Sequence, residues 1–383
     1  MRVSLMVMKN CISDCIVTLK SDFGRPQAVF IVNNSLLTPS LDGAVHLNQG
    51  EVISASCPGN QRFLVLGNDT TKFSTLNLKC VSNQKFRFDD WVGEFKNIKC
   101  NAPPWFTVDT TKLFYHFRVG YNLTDHFYNL YDACFDANSL STLYVKHVLS
   151  PSVIYRQNGE KRPNFIGAPL FGKARIYDLY KLKYQIKSFA SFLGHDIGLN
   201  KNTYLNRGHL APRADFTMTS EQRATFHYVN VAPQWNRGNA GDWAALEQAI
   251  RDRIKKYNTP VEVYTGTHGV TTLPDNNGVW KNMFLQTDEN NNQIVPVPSY
   301  FYKLIYEPKQ KLATAFISIN NPFYSDEVIE NLIFCNDICD GNTNFNWLKW
   351  RHNDNTTSFC CNYKEFSNFV KTLPKLDVMG LFY

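Results

Sequence analysis

Between Tyr204 and Arg251 the chain gathers residue types that together can hydrolyse a phosphodiester. One histidine, His209, sits in the run Asn206-Arg207-Gly208-His209-Leu210-Ala211-Pro212-Arg213. Asn230, Gln234, Asn239, Trp243, Glu247 and Arg251 follow it. Water attack on phosphorus needs a base, and imidazole is the side chain whose ordinary pKa suits neutral pH. Charge that builds on the non-bridging oxygens needs a cation in fixed geometry, which a guanidinium supplies. The leaving oxygen needs a stabiliser, and a divalent ion is a common answer. Mg²⁺ prefers oxygen ligands and keeps several waters. One amide oxygen from Asn239, with Glu247 ordering water around the ion, would suit it. Taken singly, each residue has an ordinary structural use. An Asn before a helix caps it, and Glu and Arg four apart form a solvated pair.

The elements that must position these residues are partly legible. Trp243, Leu246, Ile250, Ile254 and Tyr257 recur at helical spacing after Asp242, and Asn258 and Pro260 stop the run, so a helix is expected over 242–257. If Asn239 continued that helix it would lie ~12 Å along the axis from Glu247. Asn239 is therefore expected in a bent lead-in near Gly238 and Gly241. Arg251 shares a face with Glu247, and a bridge to Glu247 or a flanking phosphate suits it better than the scissile phosphate. A short helix is expected from Thr219, capped by a Thr219-x-x-Gln222 box. Val261–Thr265, Tyr300–Tyr306 and Leu312–Ile319 read as strands, the last two as a hairpin. Short runs such as Gln27–Asn33, Glu51–Cys57, Arg62–Gly67 and Leu76–Val81, separated by turn residues, make the first part of the chain β-rich. Among the other histidines, His268 and His227 read as structural, and His147, His195 and His352 have no partner pattern.

The spacing of the 204–251 segment resembles the DNA/RNA non-specific endonucleases of the ββα-metal superfamily. Their signature is D-R-G-H, then N-x-x-P-Q, then N-x-x-x-W-x-x-x-E-x-x-x-R. It is matched by Asn206 to His209, by Asn230 with Pro233 and Gln234, and by Asn239, Trp243, Glu247 and Arg251. Lys161-Arg162-Pro163-Asn164 looks like the family's upstream arginine loop, and Pro298 to Lys303 like the strand after the helix. The fuller run from Asn206 to Phe216 and the cysteine-rich N-terminal part resemble the arthropod secreted branch, especially insect gut double-stranded ribonucleases. The resemblance implies His209 as general base and Asn239 as direct ligand of Mg²⁺ or Mn²⁺, with Glu247 orienting water. It places Arg207 and Arg162 on phosphate and Asn230 and Gln234 in support, with Arg251 carried over less directly. Arg162, Arg213 and Trp243 are assigned to substrate binding, packing being the competing use of Trp243. One position departs: Asn206 stands where Asp is usual, which removes a negative charge near the metal.

The remaining composition fits that expectation. Residues 1–140 carry 13 basic and 12 acidic side chains, residues 141–260 carry 18 and 8, and residues 261–383 carry 9 and 13. Positive charge is thus concentrated around the candidate site, where a polyanion would be steered. No run approaches the ~18 apolar residues of a membrane-crossing helix, so no membrane partner is expected. Ten cysteines, six up to Cys134 and four from Cys335, read as disulfides closing two regions around a cysteine-free centre. Sequons at Asn33, Asn68, Asn122 and Asn355 agree with secretion. Val3–Met8 is too short for a signal segment, so a leader absent from this sequence is expected, with the gut lumen as destination. The expected fold is α+β: a β-rich, disulfide-stapled domain over 1–142, then a ββα-metal nuclease domain over 143–383. The expected activity is hydrolysis of double-stranded RNA, and also DNA, to 5′-phosphate ends. A nuclease restricted to double-stranded DNA and a non-catalytic nucleic-acid binder are the alternatives.

Overall fold

The computed structural model describes residues 14–110, 116–123, 126–159, 161–167, 169–287, 293–351 and 357–383. Cys11, His352, the sequon at Asn355 and the run Val3–Met8 lie outside the described residues. In the first hundred residues the alternation expected of half-buried strands is realised: along Thr75–Ser82 the side chains of Leu76, Leu78 and Cys80 turn inward. Six antiparallel strands form one sheet in the order Trp91–Glu94, Lys85–Phe88, Thr75–Ser82, Val52–Ser56, Val29–Val32, Ser35–Leu36. Smaller ladders, Cys15–Thr18 with Ala44–Leu47 and Ile98–Cys100 with Leu64–Leu66, complete the unit. Phe95 packs against Phe23, Phe30 and Phe86 at its centre. Disulfides Cys15–Cys80 and Cys57–Cys100 staple it.

The rest of the chain is organised by an eight-stranded antiparallel sheet. Its order is Thr107–Thr110, His116–Leu123, His126–Asp136, Ser141–Leu149, Val261–His268, Tyr300–Glu307, Leu312–Ile319, Ser358–Cys361. The expected hairpin is present, and the Glu307 carboxylate closes its turn by accepting from the backbone of Lys309 and Gln310 at 2.9 and 2.7 Å. The division expected at 142/143 falls inside this sheet, within the strand Ser141–Leu149. The change of sheet comes instead between Cys100 and Thr107. A period-two pattern tells which face of a strand is buried but not which sheet it joins.

The cysteine reading needs a correction. Cys335–Cys361 and Cys339–Cys360 pair at the C-terminal end, but Cys134 is a buried free thiol. It sits on an interior strand of the large sheet, opposite His116 and not a cysteine.

Helix Asp242–Tyr257 has the expected ends, with Asn258 in the left-handed region at φ 49°. Trp243, Leu246, Ile250 and Ile254 are buried, whereas Tyr257 is exposed, with the Arg253 guanidinium 3.9 Å from its ring centroid. Helix Thr219–Ala224 starts where expected but is capped differently. The Glu221 carboxylate accepts the Met218 N–H at 3.1 Å, while Gln222 donates to Gln157 and Phe216 carbonyls. The N-terminal unit takes part in this cap. Gln27 Oε1 accepts from Thr219 Oγ1 at 2.6 Å and from the Ser220 N–H at 3.2 Å, and Met218 is buried in the N-terminal core.

Candidate active site

The strand Leu205–His209 pairs antiparallel with Val231–Trp235, placing Asn206 opposite Gln234 and Gly208 opposite Ala232. A short helix, Asn236–Ala240, follows; it breaks at Gly241, and the long helix begins. This is the ββα unit, and the bent lead-in expected at Asn239 is that short helix. Glycine at 208 is required by close approach: a Cβ there would meet Gln234 Oε1 at 2.4 Å. Asn230 is fully buried and fixes the turn after His209. Its Oδ1 accepts the Ala211 N–H at 2.8 Å, and its Nδ2 donates to the carbonyls of Ala211 and Thr225 at 2.9 and 3.0 Å. Asn206 donates from Nδ2 to Asn236 Oδ1, a neutral link across the strand pair.

The His209 ring lies between Phe165 and Phe226, with centroids at 5.2 and 5.1 Å. Its Nε2 is buried with no hydrogen-bond partner among the described residues. Burial, and then the guanidiniums of Arg162 and Arg213, hold its pKa down to about 4. The imidazole is therefore neutral at physiological pH, the form a base requires.

His209 opens on a cleft of about 860 Å³ whose walls also carry Asn206, Asn239 and Glu247. Arg156, Arg162, Arg207 and Arg213 line it, and Glu247 is its single acidic residue among the described residues. Burial pushes the Glu247 carboxyl up to about 7, against the opposing pull of Lys303. Arg213 is steadied by Gln222, with Nε donating to its Oε1 at 3.0 Å. Arg207 is held on its inner side. Nε donates to Tyr228 Oη at 2.9 Å and Nη2 to the Tyr177 carbonyl at 3.1 Å, and the rings of Phe165, Tyr177, Tyr180 and Tyr228 surround it. Arg156 and Asn236 are cleft residues that the motif spacing did not single out; the basic surplus of 141–260 was the only sign of Arg156.

Two assignments are corrected. Trp243 is 2% exposed, stacked edge-on against Phe301, and cannot reach substrate. Arg251 does not bridge Glu247, and its burial turns it away from the cleft surface where a phosphate would lie. It is buried, and its Nη1 donates to Asp215 Oδ1 at 2.7 Å. The other Asp215 oxygen accepts from His147 Nε2 at 2.9 Å, so His147 has a partner after all. Behind Glu247 lies a second buried cation, Lys303, which donates to Thr265 Oγ1 at 2.6 Å and sits over the Trp243 ring. Burial pushes the Asp215 carboxyl up, but His147, Arg251 and Lys303 outweigh it and hold the group at about 2.

The donor set suits a hard, hydrated cation. Asn239 and Glu247 offer oxygen to the cleft, and the Glu247 carboxylate makes no hydrogen bond among the described residues. The one grouping of three possible ligands among the described residues, Asp337, Cys339 and Cys360, lies elsewhere, and its two cysteines are joined to each other.

Known proteins resemble this chain over most of its length. A salivary endonuclease of Lutzomyia longipalpis is 28% identical over 361 residues, covering 88% of this chain and 80% of that protein. Salivary protein Tsal2A of Glossina morsitans morsitans is 25% identical, covering 97% of this chain and 95% of its own. A salivary endonuclease of Culex quinquefasciatus is 26% identical, covering 82% and 77%. The family model for DNA/RNA non-specific endonucleases matches residues 112–366, spanning the whole ββα unit and every strand of the large sheet except Thr107–Thr110. The chain belongs to the DNA/RNA non-specific endonuclease family, and is a nuclease.

Proposed function

We propose that the protein is a secreted, divalent-cation-dependent endonuclease that hydrolyses double-stranded RNA and DNA with little base specificity. The observation that carries this reading is a neutral, ring-clamped His209 opening on an arginine-lined cleft beside Asn239 and Glu247. His209 takes a proton from water as the water oxygen attacks phosphorus. The bond from phosphorus to the 3′ oxygen then breaks and that oxygen takes a proton from solvent, leaving a 5′-phosphate and a 3′-hydroxyl. Arg162 and Arg213 bind the non-bridging oxygens, while Arg207 holds the aromatic wall in place and presents its outer edge to the backbone. Asn239 and Glu247 would hold Mg²⁺ or Mn²⁺, which supplies positive charge to the leaving oxygen. Neither step uses the 2′-hydroxyl, so both sugars are cut and any preference for duplex RNA resides in groove shape. Contacts to phosphate carry no sequence information.

Secretion is supported by four disulfides, by exposed sequon asparagines Asn33, Asn68 and Asn122, and by relatives named for saliva. Those names point to saliva where the sequence resemblance pointed to the gut lumen. The test is degradation of matched duplex RNA and DNA with and without EDTA, with end-group analysis. His209→Ala is expected to lower the rate by about 10²–10⁴-fold while duplex binding persists. A 3′-phosphate product, or a His209→Ala rate within tenfold of wild type, would sink the assignment.

A further inference from the structure

The N-terminal unit reaches the edge of the catalytic cleft with a tryptophan that no core accounts for. Two of its loops, one following Cys57 and one following Cys100, are tied together by the Cys57–Cys100 disulfide. The second runs Pro103-Pro104-Trp105-Phe106, and Trp105 is 64% exposed. It is nevertheless held in place. Its backbone N–H donates to the Pro58 carbonyl at 2.8 Å, and its ring rests on Gly59, where a Cβ would meet Trp105 Cγ at 3.1 Å. The Arg62 guanidinium stands 5.9 Å from the ring centroid, fixed by a bond from Nε to the Pro103 carbonyl. A large apolar ring kept rigid in water is the arrangement expected of a recognition surface.

Across from Trp105 stand Pro163 and the half-exposed Ile166 of the nuclease unit, enclosing a hollow of about 140 Å³. Pro163 and Phe226 line both this hollow and the catalytic cleft, and Phe226 is the ring that packs on His209. The hollow thus adjoins the cleft, with Pro163 and Phe226 forming the partition between them. Arg62 and Arg223 line it, and no acidic residue does among the described residues. A polyanionic strand leaving the cleft on this side meets positive charge and a flat aromatic face together.

We propose that this hollow is a stacking subsite for an unpaired nucleotide of the substrate strand, flanking the phosphate that is cut. The proposal rests on the nuclease reading above and adds a role for the N-terminal unit. Every base offers a π-face, so stacking of this kind adds affinity without sequence preference. A paired base inside a duplex cannot reach Trp105, so the gain is confined to strands with an unpaired neighbour: overhangs, nicked or frayed ends, and single strands.

The experiment compares binding of a blunt duplex with the same duplex carrying a short single-stranded overhang, using full-chain His209→Ala protein at fixed salt. The overhang is expected to tighten binding about fivefold or more, the lower end of what one base–aromatic stack provides. Adding Trp105→Phe should retain most of that gain, and adding Trp105→Ala should bring the two affinities together. An overhang gain that survives Trp105→Ala, or that never appears, overturns the subsite while blunt-duplex cleavage by the wild type still upholds the nuclease. Absence of both cleavage and binding overturns the nuclease reading itself. A concentration-dependent mass lost in Trp105→Ala, with no overhang effect, assigns the patch to a second copy of the chain and overturns the proposal.

Discussion

Burial sets the protonation states of two cleft residues in opposite directions, lifting the Glu247 carboxyl to about 7 and helping to hold His209 near 4. His209 is in its base form across the neutral range, so an acid limb of kcat/KM near neutrality is expected to come from Glu247. At limiting metal the rate is expected to fall as pH drops below about 7, and Glu247→Gln should both slow the enzyme and flatten that limb. A limb that stays in place in Glu247→Gln would assign it to another group. The buried ion pair behind the cleft is a separate matter of stability. Asp215 is held at about 2 against an ordinary 3.8, so its contribution is complete above 3.8 and is lost as pH falls through 3.8 towards 2. His147, whose folded pKa lies below 6.5, adds a loss in the same direction as pH falls below 6.5. Asp215→Asn leaves Arg251 buried without its counter-charge, a cost of about 3–5 kcal/mol. Denaturant melts should show that loss at pH 7 and a weaker acid dependence below it; a stability within 1 kcal/mol of wild type would mean the pair is not what secures the helix.

At the scale of elements, the ββα unit was the most legible part of the chain. Gly238 and Gly241 bracket Asn239 ahead of an apolar stripe, so a bend there followed from the residues themselves, and the helix ends at Asn258 as its spacing requires. The charge network was illegible for a physical reason. His147 and Arg251 meet Asp215 across 68 and 36 positions, and long-range pairing of buried charges leaves no local pattern. The pair Glu247 and Arg251 shows how this misleads: their helical spacing puts them near one face, but the 3-10 turn Arg213–Asp215 supplies a better carboxylate for the arginine. Capping of helix Thr219–Ala224 misleads in the same way, because the Thr219 and Ser220 N–H groups find their acceptors in Gln157 and Gln27, outside the segment. Strand membership is likewise set only by long-range pairing, so residues alone do not tell that the strands from Thr107 to Asp136 join the large sheet.

For the whole molecule, the positive surplus seen in residues 141–260 becomes four arginines around one cleft. If each releases one counterion on meeting a duplex, log K against log salt should have a slope of about −3 to −4, measured with His209→Ala. A slope near zero would argue against a backbone-binding cleft. The disulfides sit at the two ends, Cys15–Cys80 and Cys57–Cys100 in one and Cys335–Cys361 and Cys339–Cys360 in the other, with none in the cleft itself. Reduction should therefore act on catalysis indirectly, through the N-terminal core that holds Met218 and the Gln27 clamp on the segment after His209. Chain produced without disulfide formation is expected to lose at least tenfold in specific activity and to regain it on oxidative refolding, where typical loss of such a bond costs about 2–5 kcal/mol. Equal activity before and after oxidation would break the link. If activity follows oxidation in this way, the clamp of Gln27 on helix Thr219–Ala224 makes the redox state of the compartment in which the chain folds decide whether the cleft is usable.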